Sequence, residues 1–137
     1  MGLIPCGNCS CCKYVYITPA TEFEFTNGWG KTINWSYTRY FSCDSKNALY
    51  IVICNKCRQF YLGKTDDIKQ RCRKHASDVR IPSNSNCREC AEHLRSCSAL
   101  GEPFFTMFPF YYVDNPHLRH FMERRFIRYW KPQLNNQ

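Results

Sequence analysis

The sequence predicts an α+β fold: a small three-stranded sheet flanked by helices, with a cysteine-rich β appendage at its N-terminal end. Three observations predict it. Cysteines bunch at the start of the chain and again in its middle, apolar residues recur first at strand spacing and then at helix spacing, and turn residues separate these stretches. The 137 residues suffice for one domain with a real core, and 44% hydrophobic with 16% aromatic content argues against disorder over most of the length.

Residues 1–47 form the appendage. Cys6, Cys9, Cys11 and Cys12 stand within "PCGNCSCC", too dense and too polar for a core strand, and they read as a metal knuckle. "YVYIT" (14–18) and "EFEFT" (22–26) alternate as strands do; Asn27-Gly28 follows, and "KTINWSYTRYF" (31–41) completes a hairpin. Cys43 lies at its far end, where it can return to the knuckle.

Residues 48–137 form the main domain. "ALYIVIC" (48–54) and "RQFYLGKT" (58–65) read as buried strands whose tip carries Cys54 and Cys57. Thr65 is the expected cap of a helix over about residues 66–79, with Asp66 and Asp67 in its first turn complementing the dipole. After the loop "IPSNSN", "CRECAEHLRSCSAL" (87–100) predicts a second helix ending at Gly101. "PFFTMFPFYYV" (103–113) is an aromatic strand in which Pro109 marks an edge or a bulge. Asp114 or Asn115, followed by Pro116, opens a third helix that closes before Pro132, and "QLNNQ" is a polar tail.

Nineteen Lys and Arg against eleven Asp and Glu give a formal +8, of which residues 1–47 carry only +1. The positive field belongs to the main domain, and a polyanion such as DNA is the partner it fits. No run of roughly 20 apolar residues suggests a membrane span. The first residues lack the charged and apolar regions of a signal peptide, so a reducing, nuclear location is expected, where closely spaced cysteines hold metal more often than they form disulfides.

Cys54-x2-Cys57 at a hairpin tip is a half-site for tetrahedral zinc, and His93-x3-Cys97 places two further ligands one turn apart on a helix. The expected structural site is therefore Cys54, Cys57, His93 and Cys97, with Cys87-Cys90 or Cys90-His93 as competing pairs. A second zinc site would join Cys6, Cys9, Cys12 and Cys43, leaving Cys11 spare, while Cys72 reads as a small core hydrophobe.

On the first helix, Ile68, Arg71, Cys72, His75 and Val79 share one face, so an Arg and a His look toward the sheet, where each needs a partner. Lys69, Arg73 and Lys74 point away. The bland alternative is a rim whose stems snorkel. On the third helix Glu123 is the single acid among Arg119, Arg124, Arg125, Arg128 and Lys131; it is either an i,i+4 partner of Arg119 or a ligand for a hard divalent cation.

Tyr50 in "ALY", Tyr61 to Gly63 in "YLG", Arg71 with His75 four residues on, Glu123 in a late helix and Asn135 in "PQLN" together resemble the GIY-YIG nuclease family over residues 48–135. The N-terminal knuckle and the cysteine pair between the motifs resemble the endonuclease end of Penelope-like retroelements. Ala48-Leu49 stands where the name-giving motif has Gly-Ile, and Gln133 where Gly often precedes Leu-Asn. Neither departure removes a functional side chain.

The resemblance implies a divalent-metal-dependent DNA endonuclease that leaves a 3′-hydroxyl and a 5′-phosphate, the hydroxyl priming a reverse transcriptase domain outside this stretch of chain. Glu123 would hold Mg²⁺ or Mn²⁺, Arg71 would neutralise a phosphate oxygen, and Tyr50 or Tyr61 would orient or deprotonate water with help from Lys64. His75 would orient a tyrosine or relay its proton, and Asn135 would position the site from the tail. It also implies Cys-Cys-His-His at the hairpin-tip zinc, from which Cys97 departs. Two rivals are a structure-specific repair nuclease of the same fold and a zinc-stabilised nucleic-acid-binding module without catalysis.

Overall fold

The computed structural model describes residues 1–15, 20–99 and 102–135. In chain order it contains β1 (Glu22–Thr26), β2 (Thr32–Ser36), β3 (Lys46–Cys54), β4 (Phe60–Asp67), α1 (Ile68–Arg80), a 3₁₀ turn (Pro82–Asn84), α2 (Arg88–Ser96), β5 (Phe105–Tyr112) and α3 (Pro116–Trp130). This is an α+β architecture. Strands β1 and β2 form a two-stranded antiparallel sheet, and β4-β3-β5 form a three-stranded one with β3 at its centre.

The central position of β3 explains its composition. From Ala48 to Cys54 every residue is buried, because both faces of the strand are covered. Tyr50 and its alternates face α1, where the Tyr50 ring meets His75. Ile51, on the opposite face, sits in register with Phe108, whose ring stacks on Phe23 of β1 at 4.6 Å. Phe25, Trp35, Phe110, Phe126 and Trp130 extend that aromatic layer between the β1–β2 hairpin and α3. One core thus runs from Leu3 and Val15 through the hairpin into the main sheet. Among the described residues the appendage has no core separate from this one, and its aromatic face is buried by packing on residues 48–135.

Pro109 behaves as its chemistry requires. It lies on the edge strand β5, next to a register shift opposite Leu49 and Tyr50, and its carbonyl accepts a buried hydrogen bond of 2.8 Å from the Tyr37 hydroxyl. Helix α3 starts as expected, with the Asn115 side chain accepting from Leu118 N and Pro116 in the first turn. It ends at Lys131 in the left-handed region, φ 46°.

Three expectations about element ends are corrected. Thr65 does not cap α1: β4 continues to Asp67, which pairs with Lys46, and Asp67 caps the helix by accepting from Gln70 N. Helix α2 stops at Ser96, where Ser96 and Ser98 hydroxyls donate to the carbonyls of His93 and Leu94. In the stretch read as a strand over 14–18, Tyr14 and Val15 lie in a turn, closed by bonds from both amides to Cys11 O, and residues 16–18 lie outside those described. Leu100 and Gly101, the expected end of the second helix, also lie outside them.

Candidate functional site

A cleft of about 550 Å³ opens along the β4 edge of the sheet, between α1 and α3. Tyr61, Arg71, His75, Glu123 and Asn135 all line it. They arrive from four separate segments: the edge strand, the sheet-facing side of α1, the middle of α3, and the turn after α3.

The two tyrosines lie on the same sheet face but differ in access. Tyr50, on the central strand, is completely buried, and its hydroxyl shares a 2.8 Å hydrogen bond with His75 Nε2. Tyr61 lies on the edge strand, half-buried, with its ring centroid 6.4 Å from that of Tyr50 and 5.5 Å from that of His75. It is therefore Tyr61 that faces the cleft, with Tyr50 behind it. Gly63, paired with Tyr50 across the ladder, makes this arrangement possible. A Cβ there would lie 2.7 Å from the Tyr50 hydroxyl and 2.8 Å from Cε2 of Tyr61, inside van der Waals contact.

Burial dominates the electrostatics. It holds the Tyr50 phenol well above its ordinary pKa and raises that of Tyr61, with the Arg71 charge opposing both shifts. It also lowers His75 to about 4, aided by Arg71, so the imidazole is neutral at pH 7. The Glu123 carboxyl is raised by burial, against the pull of Lys64, His120, Arg124 and Arg71. Glu123 lies 3.8 Å from both Lys64 Nζ and His120 Nδ1.

Glu123 is not paired with Arg119. That arginine is buried, donating to Val113 O at 2.7 Å, to Asn47, and to Asp66. Asn135 has a defined place. Its Oδ1 accepts from Leu62 N and its Nδ2 donates to Leu62 O, both at 2.9 Å. With Gln133 accepting from Phe60 N and Leu134 N donating to Phe60 O, the segment runs along the open edge of β4 as a surrogate strand.

Several cleft residues escaped the sequence reading. Lys74, expected to point away, lines the cleft and donates to buried Asp78 at 2.7 Å. The signal was available: Gln70, Arg71, Lys74 and Asp78 form a stripe beside the one containing His75. Lys69 pairs with Asp44. Arg124, Asn86 and Cys87 also line the cleft, and no local pattern marks the latter two.

Two ligand clusters gather as the spacing predicts. Sγ and Nε2 or Nδ1 atoms of Cys54, Cys57, His93 and Cys97 lie within 4.8 Å of one another, and so do the sulfurs of Cys6, Cys9, Cys12 and Cys43. Tetrahedral zinc with bonds of about 2.3 Å requires sulfurs about 3.8 Å apart. In the second cluster Cys12 lies 3.5 Å from Cys6, 3.6 Å from Cys9 and 3.5 Å from Cys43. Both sets fit zinc. Cys87 and Cys90 belong to neither, Cys11 turns its thiol to Lys69 O, and Cys72 is buried in the core. Against protein-family models, curated proteins and solved structures, the chain returns no match.

Proposed function

We propose that this chain is a divalent-metal-dependent DNA endonuclease of GIY-YIG type, resembling the endonuclease end of Penelope-like retroelements. It nicks DNA to leave a 3′-hydroxyl from which a reverse transcriptase can extend. The observation that carries this reading is the convergence of Tyr61, Arg71, His75, Glu123 and Asn135 on one cleft, from segments up to 74 residues apart in sequence. Core packing alone gives no reason for an arginine, a neutral histidine and a half-buried carboxylate to share a solvent-filled edge.

The donor set fits Mg²⁺ or Mn²⁺: such ions use one or two carboxylates and complete their shell with water and phosphate, and Glu123 is a carboxylate on a cleft wall that also carries Arg71, Lys74 and Arg124. When bound, the ion supplies charge neutralisation on the phosphate. Arg71 offers its fork of donors to a non-bridging oxygen. Tyr61 orients the attacking water, and Tyr50 and His75 fix the Tyr61 ring from behind. Lys64 adds positive charge beside Glu123. The two zinc clusters are structural, one pinning the β3–β4 tip to α2 and the other folding the N-terminal knuckle onto Cys43.

The 3.8 Å approach of Lys64 to Glu123 favours a second reading, because it supplies the carboxylate with a counter-ion. On that reading the chain is a zinc-stabilised nucleic-acid-binding module without catalysis. Supercoiled plasmid incubated with Mg²⁺ or Mn²⁺ separates the two. The endonuclease nicks it, and Glu123→Ala and Arg71→Ala each lower the rate roughly 10²-fold or more while DNA binding persists. If both variants bind as the parent does and nick undiminished, the catalytic assignment is wrong; if the parent itself never nicks, the binding module is the correct reading.

A further inference from the structure

Away from the cleft, α3 presents a second surface that the nicking chemistry does not use. Phe121, Arg124, Arg125, Arg128 and Tyr129 fall at i, i+3, i+4, i+7 and i+8 and line a shallow groove of about 340 Å³. Both aromatic side chains are exposed, Phe121 at 54% and Tyr129 at 61%. The Arg125 guanidinium lies between them, 5.8 Å from the Phe121 centroid and 5.7 Å from that of Tyr129, and it donates to the Tyr129 hydroxyl at 3.1 Å. At the end of the same helix Lys131 Nζ stands 4.4 Å from the ring of Trp29, which is 64% exposed.

Exposed rings alternating with cations have a definite chemistry. The cations attract a phosphate backbone, and each ring face accepts a base by stacking. An unpaired base uses such a ring at least cost, since inside a duplex both faces of a base are already stacked and must be parted first. Charge also selects the partner, because the groove is lined by three arginines and no acid. Arg124 lines this groove and the cleft alike, so the two adjoin.

We infer that the α3 groove holds unpaired nucleotides of the substrate strand by stacking them on Phe121 and Tyr129, so that the preferred substrate is DNA with a single-stranded segment beside the scissile phosphate. This rests on the nuclease reading for the placement of the scissile bond, but the groove's ligand does not depend on cleavage. Two ring faces set the number of stacked bases near two, and the contact is indifferent to base identity.

The test is fluorescence anisotropy of the zinc-loaded full chain, without added Mg²⁺ or Mn²⁺, using a labelled 20-nucleotide oligothymidylate and a 20-base-pair duplex. The double variant Phe121→Ala/Tyr129→Ala is expected to weaken single-strand binding about tenfold or more and duplex binding less than about threefold, whereas Tyr129→Phe retains both. Arg125→Gln/Arg128→Gln should weaken both ligands and lower the salt slope by about 2. Equal losses on the two ligands for the alanine variant, or no loss on the single strand, overturns the inference. So does sedimentation showing a dimer that the alanine variant dissolves, since a second copy would then be what covers the rings. Plasmid nicking scored separately keeps the two readings apart: ring-dependent single-strand binding without nicking removes only the nuclease, and nicking without ring dependence removes only the stacking groove.

Discussion

Replacing His75 by glutamine tests the buried pair behind the cleft. The ring lies at about pKa 4 in the folded chain against 6.5 when free, lowered first by burial and then by the Arg71 charge. The folded state resists a proton that the unfolded chain accepts, so this histidine costs nothing above pH 6.5 and removes stability as pH falls from 6.5 toward 4. At 1.36 kcal/mol per pKa unit, the loss is about 2 kcal/mol between pH 7.5 and pH 5, and about 3 kcal/mol once pH lies below both values.

Glutamine offers the Tyr50 hydroxyl an amide partner but does not titrate. Urea unfolding of parent and His75→Gln, in buffers with excess zinc from pH 7.5 to pH 5, gives the difference directly. Protonation of zinc ligands affects both proteins and cancels. The expected outcome is that the parent loses about 2 kcal/mol more than the variant over that interval. Parallel curves would show that His75 is not held neutral by its surroundings, and the account of the Tyr50–His75 pair would fail with it.

Two more outcomes are expected. Gly63→Ala places a methyl group 2.7 Å from the Tyr50 hydroxyl, so both tyrosine rings must shift; destabilisation of about 1–3 kcal/mol by urea titration should accompany a nicking defect that persists at temperatures where the variant remains folded. Normal nicking by the Gly63→Ala variant would mean that the ring positions do not matter. Elemental analysis should find two zinc ions per chain, falling to one in Cys43→Ser or in Cys97→Ser and staying at two in Cys87→Ser and Cys90→Ser. A metal lost from Cys87→Ser would instead assign the competing ligand pair.

Features fixed by short-range spacing were legible in the sequence. The Cys54-x2-Cys57 tip, His93-x3-Cys97 on one helical turn, the Asn115-Pro116 helix start and the edge position of Pro109 each depend on a few neighbouring residues, and all are found where spacing puts them. Features decided by distant partners were not. Arg119 read naturally as an i,i+4 partner of Glu123, yet its guanidinium turns to Val113 O, Asn47 and Asp66, because a buried arginine must satisfy its donors wherever acceptors exist. Thr65 looked like a cap, but the ladder partner Lys46 holds the strand two residues longer. Cys87 and Asn86 reach the cleft only through the packing of α2 against α1, which local pattern does not encode. Which tyrosine faces the cleft turned on strand order: a central strand hides its side chain, and an edge strand exposes it.

Asn135, bonded at both ends of its amide to Leu62, has a consequence in time as well as space. Ribosomes deliver the chain from its N-terminus, so Tyr50, Tyr61, Arg71, His75 and Glu123 are all polymerised before the residue that closes the edge of β4. Until then that edge presents unpaired amides, and the cleft lacks one wall. The cleft reaches its final form only once residue 135 has been made and has docked.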